Sequence, residues 1–273
     1  MSPSASRSLQ AAEMRPYLRL RQICLVAPHL EASSALIRAL LGVEECHRDG
    51  GVAKYGLENA LFPIGLDRFL EVVTPTGPGT AAGRFLEQTQ GRGGYMLIFD
   101  CDDPKLRAQR AQALGVRLAN HIDRERYQGY QLHPKDCRAS FLEFNHTPSG
   151  QDLHGPYWPA GEHWRRHVRV DVTQKLEGVE VLSRDASGLA AHWSSIMGVP
   201  VTAQDGRHVI NVGDQTITII SAPGVTRERL DAMVLVVCGA ADILAQARQM
   251  GLETHEDAFA LCGMWMRVRE ETG

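Results

Sequence analysis

The sequence predicts an α+β protein made of four versions of one strand–helix–strands unit, arranged as two tandem domains of paired units. Three observations carry that expectation. Residues 20–75 open with a short apolar run, continue into an amphipathic segment stopped at Gly42, and close in extended segments. The same order restarts near residues 95, 179 and 233. The glycine-stopped helices also repeat. Leu36-Ile37-Arg38-Ala39-Leu40-Leu41-Gly42-Val43 lines up with His192-Trp193-Ser194-Ser195-Ile196-Met197-Gly198-Val199, an offset of 156 from Gly42 to Gly198. The helix ending at Gly115 resembles the one ending at Gly251, an offset of 136. One unit leaves an apolar sheet face open; pairing two buries those faces and leaves a curved cup between them. The expected layout is a tail over residues 1–17, a first domain over 18–147, a linker with a strand over 148–175, and a second domain over 176–273.

Each element has a local reason. Residues 22–26 are short, apolar and partly β-branched, a buried strand ended by Pro28. Leu30, Leu36, Ile37, Leu40 and Leu41 recur at helical spacing. Residues 44–55, 57–64 and 69–74 read as extended, with Gly50-Gly51 and Gly65-Leu66-Asp67 as turns. A short helix is expected over 80–89, with Thr80 as N-cap. In the second unit, residues 95–99 form a strand. Asp103 caps a helix with Pro104 at its first position, and strands follow over 117–122, 128–133 and 140–145. Residues 147–162, rich in Gly, Pro and His, read as a linker, and 164–173 alternate like a strand. The third unit takes 179–182, a helix over 187–197, and a hairpin across Gly213-Asp214. The fourth takes 233–237, a helix over 242–250, and extended pieces over 253–257 and 264–268.

Composition narrows the function classes. The 273 residues are 44% hydrophobic and 22% charged, with a net charge of -3, so no strong pull toward nucleic acid or an anionic membrane is expected. No apolar run approaches the roughly 20 residues that span a bilayer. The six cysteines are scattered, with no close pair, which argues against a disulfide framework or structural zinc and for a reducing cytoplasm. The expected partner is a small-molecule ligand, with a homodimer left open.

The segments 20–30, 69–75, 94–103 and 132–145, the last including Leu132-His133-Pro134-Lys135-Asp136, resemble the vicinal oxygen chelate superfamily. That superfamily includes glyoxalase I, methylmalonyl-CoA epimerase, extradiol ring-cleaving dioxygenases and bleomycin-resistance proteins. The resemblance covers residues 18–147 and, more loosely, 177–269. It implies βαβββ modules, two tandem glyoxalase-like domains, and a cup that often holds a divalent metal. In metal-using members four ligands come from the first and last strands of paired modules. Those places fall on Gln22, Glu71, Met96 and Glu143. The implied ion (Zn, Ni, Co, Mn or Fe) would rest on Gln22, Glu71 and Glu143. Met96 stands where histidine is expected, and a thioether is a poor partner for a hard ion. The corresponding places in the second half are Gly178, Ile219, Met233 or Val234, and Arg267 or Val268, which do not make a ligand set.

Glu71 and Glu143 each sit inside an apolar strand. A lone strand glutamate commonly faces solvent; the resemblance places both in the cup. There they would act as an acid/base pair, since repulsion and burial raise one carboxyl, or as ligands of a Lewis-acid ion. Gln22, Met96 and His133 are the expected pocket residues, although His133 before Pro134 also reads as a turn residue. The aromatic and histidine cluster over 157–167 reads as a linker packing on both halves, or as a cover for a ligand. Residues 91–94 do not make a nucleotide loop. Two functions remain open: a lyase or isomerase moving a proton on a small carbonyl or hydroxy-acid compound, or a metal-free small-molecule binding protein. An extradiol dioxygenase would need two histidines and a glutamate around iron, a set neither half offers.

Overall fold

The structure, a computed structural model, describes residues 16–271. Of the expected tail, residues 1–15 lie outside the described residues. Tyr17 does not belong to a tail: its hydroxyl donates to Asp100 at 3.3 Å.

Two mixed seven-stranded sheets carry the chain, with helices packed against them. The first unit contributes β1 (Leu18–Val26), α1 (Leu30–Leu41), β2 (Leu57–Ile64) and β3 (Arg68–Pro75). A connecting helix, α2 (Ala81–Thr89), is capped by the Thr80 side chain as expected. The second unit contributes β4 (Met96–Cys101), α3 (Pro104–Ala113), β5 (Leu118–Arg124), β6 (Tyr127–Leu132), the single turn α4 (Pro134–Cys137) and β7 (Phe141–His146). Their sheet has the order β2-β3-β1-β4-β7-β6-β5. The third unit supplies β8 (Thr173–Ser183), α5 (Ala186–Met197), β9 (Val201–Gln204), β10 (Arg207–Val212) and β11 (Gln215–Ser221). The fourth supplies β12 (Arg229–Val237), α6 (Ala240–Gln249), β13 (Ala258–Leu261) and β14 (Met264–Arg269). The second sheet runs β13-β14-β12-β8-β11-β10-β9.

In each sheet the first strands of the two paired units lie side by side and antiparallel, β1 on β4 and β8 on β12, with each unit's last strand parallel beside them. A bulge falls at the same place in both sheets, between Leu20 and Gln22 and, on the β8 side, between the Leu176 and Gly178 pairings. Gln22 pairs with Ile98 as Gly178 pairs with Val234. These equivalences reproduce the sequence offsets of 156 and 136.

Two expected strands shrink. The stretch after α1 keeps one bridge, His47 to Leu61, then winds into a 3-10 turn over Gly50–Tyr55, started by the Asp49 side chain on the Gly51 N–H and stopped at Gly56. The stretch after α6 keeps only the bridge of Thr254 to Phe259. The alternating stretch 164–173 is not a strand either. Trp164–His167 form a 3-10 turn, with Trp164 buried and Val170 exposed, and β8 begins only at Thr173, whose hydroxyl donates to the Leu41 carbonyl. The large side chain is anchored by burial, so its neighbours need no ladder.

One continuous apolar core runs through both halves. α3 packs on α5 and α1 on α6. Polar contacts cross the seam: the Trp193 indole donates to the Cys137 carbonyl at 2.8 Å, and Arg107 to the Met197 carbonyl at 2.5 Å. Among the described residues, no helix is long and apolar enough to cross a membrane.

Candidate functional site

The first sheet curls around a cavity of about 370 Å³. Its floor holds Gln22 from β1, Glu71 from β3, Met96 and Ile98 from β4, and Glu143 from β7. Alternation delivers them: Cys24 pairs with Glu71 on one side and Met96 on the other, and Ile98 pairs with Glu143. Tyr95 and its neighbour Met96 both line the cavity, because β4 begins only at Met96 and Tyr95 is outside its alternation.

Both glutamates are buried, and their oxygens are held by the protein. Glu71 accepts from the Gln22 amide at 2.7 Å and from the Asn59 amide at 2.6 Å. Glu143 accepts from the Tyr127 hydroxyl, from Gln131 at 2.8 Å and from Asn145 at 3.4 Å. Gly129 keeps the Tyr127–Glu143 contact open; a Cβ there would lie 3.0 Å from the Tyr127 ring and 3.3 Å from a Glu143 oxygen. Burial raises the Glu71 carboxyl above the ordinary carboxylate range, against the pull of its amide donors, and the Glu143 charge adds to the rise. Burial, then the Glu143 charge, raises the Tyr127 and Tyr157 phenols far above their usual value, so both remain protonated donors.

Gln22 is itself oriented from a distance. The Tyr157 hydroxyl donates to its Oε1 at 3.0 Å, which leaves the Gln22 N–H facing Glu71. Tyr157 stacks on Phe69, and Trp164 meets the same ring edge-on. The Arg21 guanidinium lies within reach of all three rings, and burial pushes it down to about 10. The cluster over 157–167 therefore packs on the first sheet rather than on both halves. Trp158 and Pro159 reach the cavity rim.

His133, expected in the pocket, is not on the cavity. Strand β6 ends at Leu132, and the His133 ring turns back to cap α4, accepting from the Lys135 N–H. Asn59, Tyr127, Gln131 and Asn145 were not singled out by sequence; Tyr157 was, but only within the aromatic cluster and not as a partner of Gln22. The usable signal was weak: an amide inside the apolar run of β2, and the alternation Tyr127, Gly129, Gln131 in β6.

The donor set does not fit a divalent ion. Gln22, Glu71 and Glu143 spend their oxygens on amide and phenol donors, Met96 offers only a thioether, and among the described residues no three His, Cys, Asp or Glu side chains converge. In the second sheet, register assigns Gly178, Thr218, Ala232 and Arg267 to the four places. Gly178 and Arg267 are as expected from sequence; Thr218 and Ala232 replace Ile219 and the Met233 or Val234 choice.

Fold and site together define a protein of the vicinal oxygen chelate superfamily. The model of the glyoxalase-like domain family matches residues 23–197, and the chain belongs to that family. No curated protein matches the chain. Among solved structures, a hypothetical protein from Staphylococcus aureus overlays with a TM-score of 0.65 at 13% identity, covering 93% of this chain and 99% of its own. Methylmalonyl-CoA epimerase of Streptomyces coelicolor covers 47% of this chain and 96% of its own, at 24% identity and a TM-score of 0.43. The Mycobacterium tuberculosis epimerase covers 52% and 92%, at 18% and 0.43.

Proposed function

We propose that the cup catalyses proton transfer at a carbon next to a carbonyl, an isomerase or lyase step on a small carbonyl or hydroxy-acid compound. The observation that carries this reading is the pair Glu71 and Glu143 on the floor of one buried cavity, with unlike surroundings. Such a pair supplies an acid and a base at one pH. Glu71, with its carboxyl raised by burial, is suited to take the proton from carbon and return it. Glu143, which accepts from the Tyr127 hydroxyl, serves the second proton position in this reading. The amides of Gln22 and Asn59 hold Glu71 in position and exchange strength with its charge as it forms.

The test is exchange of the carbon-bound proton in deuterated water, followed by NMR over a panel of carbonyl compounds and hydroxy acids, with the acid group either next to the reacting carbon or several bonds from it. Wild-type protein is expected to accelerate exchange, and Glu71→Gln or Glu143→Gln to reduce it at least about 100-fold. No exchange over the panel, or exchange unchanged in both variants, would sink the reading. The apolar cavity walls favour one alternative, a binding protein without turnover. Saturable binding without exchange would identify that.

A further inference from the structure

The mouth of the cup differs in character from its floor. Of the large hydrophobic side chains exposed among the described residues, the only two aromatic ones are Tyr55 and Trp158, 42% and 39% exposed, and both line this cavity. Tyr55 is not loose. Its hydroxyl accepts from the Asn120 amide at 2.7 Å, tying the 3-10 turn of the first unit to β5 of the second across the opening. Two cations line the same cavity, Lys54 and Arg124. The Lys54 ammonium lies 4.8 Å from the centre of the Tyr55 ring. Neither cation makes an ion pair among the described residues. The one acid on the rim, Asp49, turns its carboxylate onto the Gly51 N–H. Between mouth and floor the walls carry apolar side chains, Leu57, Val73 and Phe141.

We propose that the cup takes an elongated anion, a carbonyl compound whose apolar or aromatic body lies against Tyr55 and Trp158 and whose negative group meets Lys54 and Arg124. The polarity follows from charge. The buried acid floor offers an anion no cation, and two cations at the opening attract it, so the ligand enters with its carbonyl end inward. Exposed aromatics at a cavity mouth supply contact area at little entropic cost. Paired cations steer an anion in and hold it there. The inward placement of the carbonyl rests on the proton-transfer reading; capture of the anion at the mouth does not.

A shape-matched pair of fluorescent probes that differ in charge tests this on the full-length protein: anilinonaphthalene sulfonate and its uncharged parent, N-phenylnaphthylamine. The sulfonate is expected to bind at least about tenfold tighter. The double variant Lys54→Gln/Arg124→Gln should erase that preference while leaving the uncharged dye unchanged. Trp158→Ala should weaken both. Salt should lower the preference, since exposed charges are screened over about 8 Å at physiological ionic strength. Equal binding of the two dyes, absence of binding, or a preference that survives the double variant would overturn the proposal. Glu71→Gln is expected to keep the preference while losing proton exchange, so the two readings fail separately.

Discussion

The two sheets are one backbone plan carrying two unlike cups. Register places Gly178 where Gln22 stands, Thr218 for Glu71, Ala232 for Met96 and Arg267 for Glu143. In the first cup, buried carboxyls face a cavity and are held by neutral amide and phenol donors. In the second, Arg267 holds both Asp257 oxygens at 2.6 Å and reaches Glu180 at 3.3 Å, and Arg207 lies 3.7 Å from Glu180, so the charges cancel among themselves. At Gly178 the backbone comes so close that an added Cβ would lie 2.2 Å from the Thr216 carbonyl oxygen, which leaves no room there for a side chain like Gln22. The strand pairing needs none of these side chains to be polar or apolar in particular. The fold therefore stands with either set, and the chemistry belongs to four positions and their donors.

The largest effect that separates the halves is structural. Trp193 in α5 is fully buried and donates to the Cys137 carbonyl of the first half. Trp193→Ala is expected to cost about 3–5 kcal/mol from the cavity it leaves. Because the core is continuous, denaturant should unfold both sheets in one transition, read together by fluorescence and circular dichroism. Two separate transitions would show that the second half is an appendage, and would break the view that it supports the first cup.

A smaller effect sharpens the contrast between the buried carboxyl and its neutral counterpart at Thr218. The folded protein holds the Glu71 proton to higher pH than the unfolded chain, whose carboxyl titrates near 4.5. The stabilisation is full below that value and is lost as pH rises through the elevated folded value. Glu71→Gln cannot titrate there. The stability of wild type relative to this variant should fall as pH rises above about 4.5, measured by urea unfolding. A flat difference would mean that Glu71 ionises in the folded state as readily as in solvent.

Much of this contrast was legible before any coordinates. Glycine-stopped helices gave the two offsets, and an acid inside an apolar run marked Glu71 and Glu143. The donors that set their character were not legible, because they arrive by register: Gln131 pairs directly with Glu143, while Tyr157 reaches Gln22 from 135 residues away. A strand shows its alternation in sequence, but not which residue of a neighbouring strand it meets. His133 looked like a pocket residue for the same reason. It continues the inward alternation of Gln131, yet Pro134 has no N–H for the ladder, and the chain turns into α4 instead. The stretch after the linker misled in the opposite sense, since the alternation of Trp164, Arg166 and Val168 mimics a strand where burial of one tryptophan decides the path.

The smallest expected effect lies at Arg267. Its ion pairs with Asp257 and Glu180 are partly exposed, and such pairs contribute about 0–1 kcal/mol each. Arg267→Met should therefore change stability by no more than about 2 kcal/mol, with Arg207 still 3.7 Å from Glu180 to offset its charge. Arg267→Glu restores the residue type of Glu143 but not its setting. The new carboxylate would face Glu180 and Asp257, without the Tyr127, Gln131 and Asn145 donors that Glu143 has. It should destabilise more than Arg267→Met, the gap should narrow at low pH or in high salt, and proton exchange should not rise. Equal stability of the two variants at low salt would show that the second cup tolerates an acid at this position, and that the difference between the sheets is not set by charge.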